Sequence, residues 1–329
     1  MLLGLLSVAY AGYGDVLDGF PSWAERDLHL WTNAARVDPT AFRAQYDCNM
    51  DVEFTSDEKQ PKPPLFYSAD LNEAARYHSQ EMHQSGVFSH DSPDGTSFGE
   101  RVARFYDDSG YVGENIAWNY ESPWATVIEG WMCSEGHREN IMRSEYVELG
   151  TGVVREYSTQ NFGGGSADWY GPFAMGVHEP QVPSPGDTLT FYVDWLGDTP
   201  QWIKVFVDGE PRSMELLYGE ESQGVYSATL SSPEGGCHEY WFQANEGDVW
   251  AFPETGSYTF GGGCETAWVD AQVDASAEED EPDEDEPLTD WESRHRAGAA
   301  TVSCSSGPGP ASWSLALLGL VAFAQRRRR

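Results

Sequence analysis

The chain has 329 residues, enough for about two domains of ordinary size. It carries 54 acidic and 19 basic residues, a formal net charge of -35, and only three of the basic residues are lysines (Lys59, Lys62 and Lys204). A surface this acidic repels phosphate backbones, which excludes DNA and RNA as partners, and it is typical of a well-solvated protein in an extracellular or salty setting.

The first eleven residues predict an export signal. Residues 1–8 are mainly apolar, and Ala9-Tyr10-Ala11 has the small-x-small pattern that signal peptidase cleaves. The segment is short and lacks a basic start. The alternative is that it forms the apolar beginning of the first domain.

Helical spacing dominates the first part of the chain. Leu28, Trp31 and Ala35 recur at helical spacing, and Ser122-Pro123 supplies a cap and first turn for a later apolar stripe. Gly86 ends one predicted helix, and Gly136 is expected to break another, with His137 just beyond the break. The predicted helices cover residues 23–36, a short segment after Asp38-Pro39-Thr40, residues 71–82 and residues 124–132.

Strand signals follow, and their pattern changes near residue 185. Residues 149–154 and 169–177 predict strands of the first domain, which we bound at 23–180. Beyond it, period-two alternation and the Asp208-Gly209 hairpin signal predict a small antiparallel β-sandwich of immunoglobulin-like type over residues 186–270. The strands predicted there are residues 188–193, 202–207, 226–230 and 239–243.

The C-terminal part predicts a spacer and an anchor. Residues 271–303 are acidic, contain proline and have few large apolar residues, so we expect a disordered linker. Residues 304–329 contain Cys304, an apolar run over 311–324 and four final arginines. The run is shorter than the ~20 residues of an ordinary membrane-spanning helix, and the arginines favour a cytoplasmic end.

This arrangement resembles the MYXO-CTERM type of bacterial C-terminal sorting tag. The resemblance implies export, cleavage near Cys304 and display at the outer surface of the cell membrane. Ser303 stands where the tag usually has glycine.

Four cysteines remain outside the tag. An exported chain is oxidised, so disulfides are expected, and the sequence allows three connectivities. We favour Cys237–Cys264, since both lie near strand-like runs of the second half, which leaves Cys48 with Cys133. A metal role for Cys133 with His137 is a secondary alternative.

Three short segments carry the chemistry of the first half. Phe88-Ser89-His90 follows a helix end, Glu114 lies in Gly113-Glu114-Asn115, expected to be a loop, and His137 lies in Ser134-Glu135-Gly136-His137. Two imidazoles and a carboxylate are the parts of a divalent-metal site or a general acid–base site.

Together with further motifs in the same order, these segments resemble the CAP superfamily (cysteine-rich secretory proteins, antigen 5, pathogenesis-related 1), in its bacterial SCP-like branch. The resemblance covers about residues 26–163 and implies an α-β-α sandwich with a central cleft, so the whole chain is expected to be α+β. The further motifs are residues 30–36, 71–75, 138–141 and 149–152.

The resemblance also implies roles for cleft residues. It makes His90 and His137 the ligands of zinc or another divalent cation and makes Glu114 the candidate catalytic carboxylate. Ser134, Glu135 and Asn115 are then expected to line the cleft. The family commonly has a second glutamate three residues after the helix tryptophan, and that position is Ser134 here.

Three functions remain open at this stage. The resemblance implies a non-enzymatic module at the cell surface that binds an extracellular ligand, with sterols or other lipids as ligands in some members. The second hypothesis is a metal-assisted hydrolase, such as a peptidase, in which Glu114 serves as general base; no His-Glu-x-x-His helix supports it. The third is a structural envelope protein.

Overall fold

The computed structural model describes residues 12–44, 53–107, 110–165 and 171–264. The predicted signal peptide, acidic linker and sorting tag lie outside these ranges, as does Cys48. Among the described residues, none of the helices is both long enough and apolar enough to span a bilayer.

The first three predicted helices are confirmed, with small changes at their ends. Ser22 and Glu25 form a reciprocal capping box at the start of the first helix, and Gly86 ends the third with a φ of 67°. The helices are α1 (Trp23–Val37), α2 (Pro39–Arg43), α3 (Ala69–Ser85), α4 (Phe98–Val102), α5 (Pro123–Ala125), a π-helix (Thr126–Met132) and α6 (Glu135–Met142).

The fourth predicted helix differs from expectation. After one turn of α-helix it continues as a π-helix, in which the Cys133 amide donates to the Ile128 carbonyl five residues back. The apolar stripe is compatible with either winding, so spacing alone does not separate them. Gly136 does not break this helix, because it lies inside α6, and His137 lies in the first turn of α6.

Within the described part of the chain, the first sheet has four strands in the order β1-β3-β4-β2. β1 is parallel to β3, and the other neighbours are antiparallel. Glu114 lies in the edge strand β2, and the prediction of a loop there is wrong. The strands are β1 (Phe66–Tyr67), β2 (Val112–Trp118), β3 (Glu148–Val154) and β4 (Tyr157–Gly163).

Helices cover both faces of this sheet. On β3, the Thr151 hydroxyl donates to the Glu25 carbonyl of α1 at 2.8 Å. The neighbouring Gly150 and Gly152 face α3, where an added Cβ would lie 2.0 Å and 2.1 Å from the helix backbone. Since successive strand residues point to opposite faces, α1 and α3 lie on opposite sides, as an α-β-α arrangement requires.

Gly150→Ala is expected to lower the free energy of unfolding by about 3 kcal/mol, the upper part of the range for overpacking, because the new methyl group meets backbone that cannot rotate away. Urea denaturation measures the change. Gly136→Ala is the matched control: an added Cβ there has no neighbour within 4 Å, and alanine is favoured in a helix. Equal stability of the two variants would contradict the close approach.

Residues 171–264 contain nine strands in two antiparallel sheets. The second sheet has the order β5-β6-β10-β9; the third has β12-β11-β7-β8, with β13 also paired to β11. All four strands predicted beyond residue 186 are present. The strands are β5 (Gly176–Glu179), β6 (Thr188–Leu196), β7 (Trp202–Val207), β8 (Glu210–Ser213), β9 (Glu215–Glu220), β10 (Gln223–Ser231), β11 (Cys237–Asn245), β12 (Val249–Phe252) and β13 (Tyr258–Gly261).

Two local predictions in this half are confirmed. Asp208 and Gly209 connect β7 to β8 with φ values of 50° and 84°, the left-handed pair that a two-residue hairpin needs. Cys237 and Cys264 are joined in a disulfide. Cys133 is also disulfide-bonded, so it has no thiolate for a metal, and the secondary metal role is wrong.

Both sheets of the second half contribute to one core. Phe191 and Trp195 of β6 lie in the same buried cluster as Val205 of β7 and Phe242 of β11. The observed unit is therefore two antiparallel sheets around a shared apolar interior. Its immunoglobulin-like type remains a prediction. β5 pairs with β6, although it falls within the first domain as predicted from sequence.

Candidate functional site

A groove of about 520 Å³ runs along the edge strand β2. It brings together the two predicted histidines: His90 reaches it from the segment after α3, and His137 reaches it from α6. The residues that line it are Phe88, Ser89, His90, Asp91, Ile116, Ala117, Trp118, Tyr120, Gly130, Trp131 and His137.

The Glu114 carboxylate is held from two sides. His90 Nδ1 lies 2.9 Å from Glu114 Oε1, and the Arg101 guanidinium donates to Oε2 at 2.6 Å. The Glu114 and Arg101 side chains are almost fully buried, whereas the His90 side chain is 51% exposed. Glu114 thus lies behind the groove wall and orients His90 toward the open space.

Arg101 connects this pair to a deeper hydrogen-bond network. Its Nη1 donates to the His90 carbonyl and to Ser92 Oγ, both at 3.0 Å. The Ser92 hydroxyl donates to Glu81 at 2.8 Å. Burial raises the pKa of Glu81, but hydrogen bonds from His78 and Ser92 outweigh it, so the pKa lies below its usual value. The network fixes the segment that carries His90.

Sequence reasoning missed Arg101, Ser92 and Glu81. The neighbouring His78 side chain is buried, with Nε2 2.9 Å from the Ser89 carbonyl. No spacing rule marks Arg101, because its partner lies on a strand thirteen residues away and the contact is purely tertiary.

His137 is the more enclosed of the two imidazoles. Burial lowers its pKa, the nearby charge of His90 lowers it further, and a contact with the Gly130 backbone offsets part of the shift. The ring is therefore neutral over a wider pH range than a free histidine. Its Nδ1 is buried without a hydrogen-bond partner among the described residues.

The other predicted cleft residues lie elsewhere. Asn115 is fully buried: its amide donates to the His137 carbonyl at 3.1 Å and accepts from Asn140 at 3.0 Å, so it supports α6 from behind. Ser134 is the N-cap residue of α6, and Glu135 is exposed in its first turn. All three lie outside the groove lining.

The donor set does not fit a zinc site. Zinc in proteins takes three or four protein ligands, and the groove lining supplies two imidazoles. Across residues 12–44, 53–107, 110–165 and 171–264, no cluster of three or more His, Cys, Asp or Glu side chains is arranged for a metal ion. The zinc prediction finds no support in these contacts.

The mouth of the groove is aromatic. Phe88, Trp118 and Tyr120 line it and are 48%, 55% and 40% exposed. The Trp118 ring stacks on Tyr157 with centroids 6.4 Å apart. Gly130 leaves room for Tyr120, since a Cβ there would lie 2.8 Å from its ring. An open concavity with exposed aromatic walls is suited to an apolar ligand.

One further segment of the sequence has the spacing of a catalytic motif. Gly95-Thr96-Ser97-Phe98-Gly99 has the Gly-x-Ser-x-Gly spacing of a nucleophile elbow. In the structure Ser97 is the N-cap of α4, and its hydroxyl donates to Glu100 at 2.6 Å. The residue before the helix follows a turn rather than a strand, so the geometry is that of a helix cap.

Comparison with known proteins places this site in a family context. Residues 32–169 match the family described as CAP: Cysteine-rich secretory protein family. The match covers somewhat under half of the chain and includes both groove histidines.

Sequence relatives share the same region. The chain is 46% identical over 91 residues to the uncharacterized membrane protein YlbC of Bacillus subtilis, covering 27% of this chain and 26% of that protein. It is 32% identical over 144 residues to the uncharacterized protein YkwD of Bacillus subtilis, covering 43% and 54%. The chain thus spans about a quarter and about half of the length of these relatives.

Among solved structures, an extracellular protein containing an SCP domain from Bacillus anthracis is similar, with 35% identity, 31% of this chain and 34% of that chain covered, and a TM-score of 0.30.

Proposed function

We propose that this is an exported protein whose CAP domain binds an apolar extracellular ligand, a lipid or a sterol, in the groove along β2 without chemical conversion of that ligand. The observation that carries the proposal is the aromatic mouth formed by Phe88, Trp118 and Tyr120. Exposed aromatic side chains around a concavity gain free energy when an apolar ligand covers them.

Export is supported by the cysteine chemistry. The Cys237–Cys264 disulfide and the disulfide-bonded Cys133 fit an oxidising compartment. The membrane-protein name of one relative agrees with this location. Surface display through residues 304–329 is part of the proposal.

The contacts of the Glu114 carboxylate favour ligand binding over hydrolysis. A general base in a metal-assisted hydrolase must accept a proton from water within the groove. Here both Glu114 oxygens are already in contact with His90 and Arg101, and the residue lies behind the groove lining. A role of Glu114 in orienting His90 is enough to explain this geometry.

Trp118→Ala is expected to weaken sterol binding about tenfold, because one lost aromatic contact is worth on the order of 1.4 kcal/mol. The measurement is titration of the full chain with dehydroergosterol, a fluorescent sterol, and sedimentation with sterol-containing phosphatidylcholine vesicles. Tyr111→Ala is the matched control, since Tyr111 is 53% exposed and lies outside the groove lining.

Two outcomes would contradict the proposal. One is equal binding by the Trp118→Ala variant, the Tyr111→Ala variant and the parent chain, or no binding by any of them. The other is turnover of casein or a peptide library, with added zinc, that His90→Ala and His137→Ala each abolish; that result would establish the hydrolase instead.

A further inference from the structure

Helix α1 also packs against the second sheet, and buried carboxyl groups lie in that junction. Asp27 comes from α1, Glu179 from β5 and Asp194 from β6. Asp27 and Asp194 are 1% and 0% exposed. None of the three lines the groove along β2.

The buried Asp27 carboxyl, whose Oδ1 has no hydrogen-bond donor among the described residues, lies in contact with the Glu179 carboxyl. Two ionised carboxylates are acceptors only, so this contact requires a proton on one of them. Trp31 Nε1 donates to Glu179 Oε1 at 3.1 Å, and the Tyr192 hydroxyl also bonds Glu179. Glu179 Oε1 thus has a donor in Trp31, whereas Asp27 Oδ1 has none among the described residues, so we place the proton on Asp27.

Asp194 gives an independent indication from the same junction. It accepts one hydrogen bond, from the Asn33 amide at 2.6 Å, and its Oδ1 is buried without a partner among the described residues. A buried carboxylate with a single hydrogen bond is costly, so burial raises the pKa of Asp194 well above its usual value.

The charge of Arg26 does not cancel the effect of burial on Asp27. Arg26 donates to the Pro21 carbonyl and lies over the Tyr258 ring at 4.1 Å. Burial raises the pKa of Asp27 well above its usual value, the charge of Glu179 adds to the rise, and Arg26 lowers it by less. Burial also raises the pKa of Glu179.

The pKa values of two histidines at the junction shift in the opposite direction. His178 is bonded to the Tyr240 hydroxyl at 2.9 Å, and burial lowers its pKa to about 3. Burial lowers the pKa of His29 on α1 to about 4. Both rings are neutral in the folded protein, so they lose stabilisation as pH falls below the ordinary histidine range.

We propose that a proton shared by Asp27 and Glu179 stabilises the packing of helix α1 against the second sheet. This packing weakens when alkali removes the proton. A carboxyl group that holds its proton more tightly when folded stabilises the fold fully below its unfolded pKa. That stabilisation disappears as pH rises through the folded value, because two buried like charges then face each other.

The test is the thermal unfolding midpoint of the full chain from mildly acidic to alkaline pH. On the alkaline side, the midpoint of Asp27→Asn is expected to fall less than that of the parent chain, by roughly 2–4 °C, because an amide donates to Glu179 without titrating. The fall of the midpoint on the acid side, which depends on His178 and His29, should persist in this variant. Glu215→Gln, which replaces an exposed carboxyl group of β9, is the matched control and should follow the parent chain.

Infrared spectroscopy provides a readout that a merely structural role would not change. The parent chain at neutral pH should show the carbonyl stretch of protonated carboxyl groups, reduced in Asp27→Asn and unchanged in Glu215→Gln. If Asp27→Asn fails to fold, Glu179→Gln serves in its place, with the same reduced alkaline decline. Parallel alkaline declines in the parent chain and either folded variant, or no protonated carboxyl band at neutral pH, would overturn the proposal.

Discussion

Arg101→Met is expected to lower the free energy of unfolding by about 3–5 kcal/mol, the range for a buried ion pair that loses one partner. The Arg101 guanidinium and the Glu114 carboxylate are 2.6 Å apart and have side chains 0% and 1% exposed. Without Arg101, the Glu114 charge would remain buried without its guanidinium partner. Urea denaturation with an unchanged m-value measures the loss.

A double-mutant cycle separates charge from packing in this prediction. Glu114→Gln removes the buried charge, so the Arg101→Met/Glu114→Gln variant should be more stable than simple addition of the two single effects predicts. Arg143→Met is the control, because the Arg143–Glu139 pair is 30% and 65% exposed and its loss should cost less than about 1 kcal/mol. Additive single effects would show that packing alone explains the loss.

The helices that sequence predicted best are those with local signals at both ends. α1 begins at a capping box and α3 ends at a left-handed glycine, and each signal depends only on residues within one turn. The π-helix had no such signal. Trp131 and Met132 lie in the buried core, whose contacts are not readable from the local sequence.

The site was predictable in its residues and less so in its geometry. His90 and His137 were expected in one cleft, and both line the groove. Glu114 and Asn115 were placed together in a loop, but they occupy a strand, where successive side chains point to opposite faces. That alternation places Glu114 beside Arg101 and Asn115 behind α6, and it separates two residues that a loop would have kept together.

The buried carboxyl groups between α1 and the second sheet also could not be predicted from local sequence. Asp27 lies in a predicted amphipathic helix, where an acidic residue is ordinarily assigned to the solvent side. It is buried because β5 and the second sheet cover that side of α1. Only the packing of separate segments reveals that this helix has two covered faces.

Trp131→Ala is expected to cost about 3–5 kcal/mol and to abolish sterol binding, because this residue belongs to the core and to the groove. The side chain is fully buried and lines the groove floor. Its Nε1 also donates to the Ile116 carbonyl at 3.1 Å, which covers an open edge of β2. Urea denaturation and dehydroergosterol titration measure the two losses separately.

Trp131→Phe separates the two contributions to the lost unfolding free energy, the buried ring volume and the hydrogen bond. It retains most of the buried ring but leaves the Ile116 carbonyl without its donor, so we expect a loss of about 1–3 kcal/mol. Trp118→Ala is the control for stability, since Trp118 is 55% exposed and its removal should change the unfolding free energy by no more than about 0.5 kcal/mol. If Trp131→Phe were as damaging as Trp131→Ala, the hydrogen bond to the edge strand, rather than the filled volume, would hold the groove floor in place.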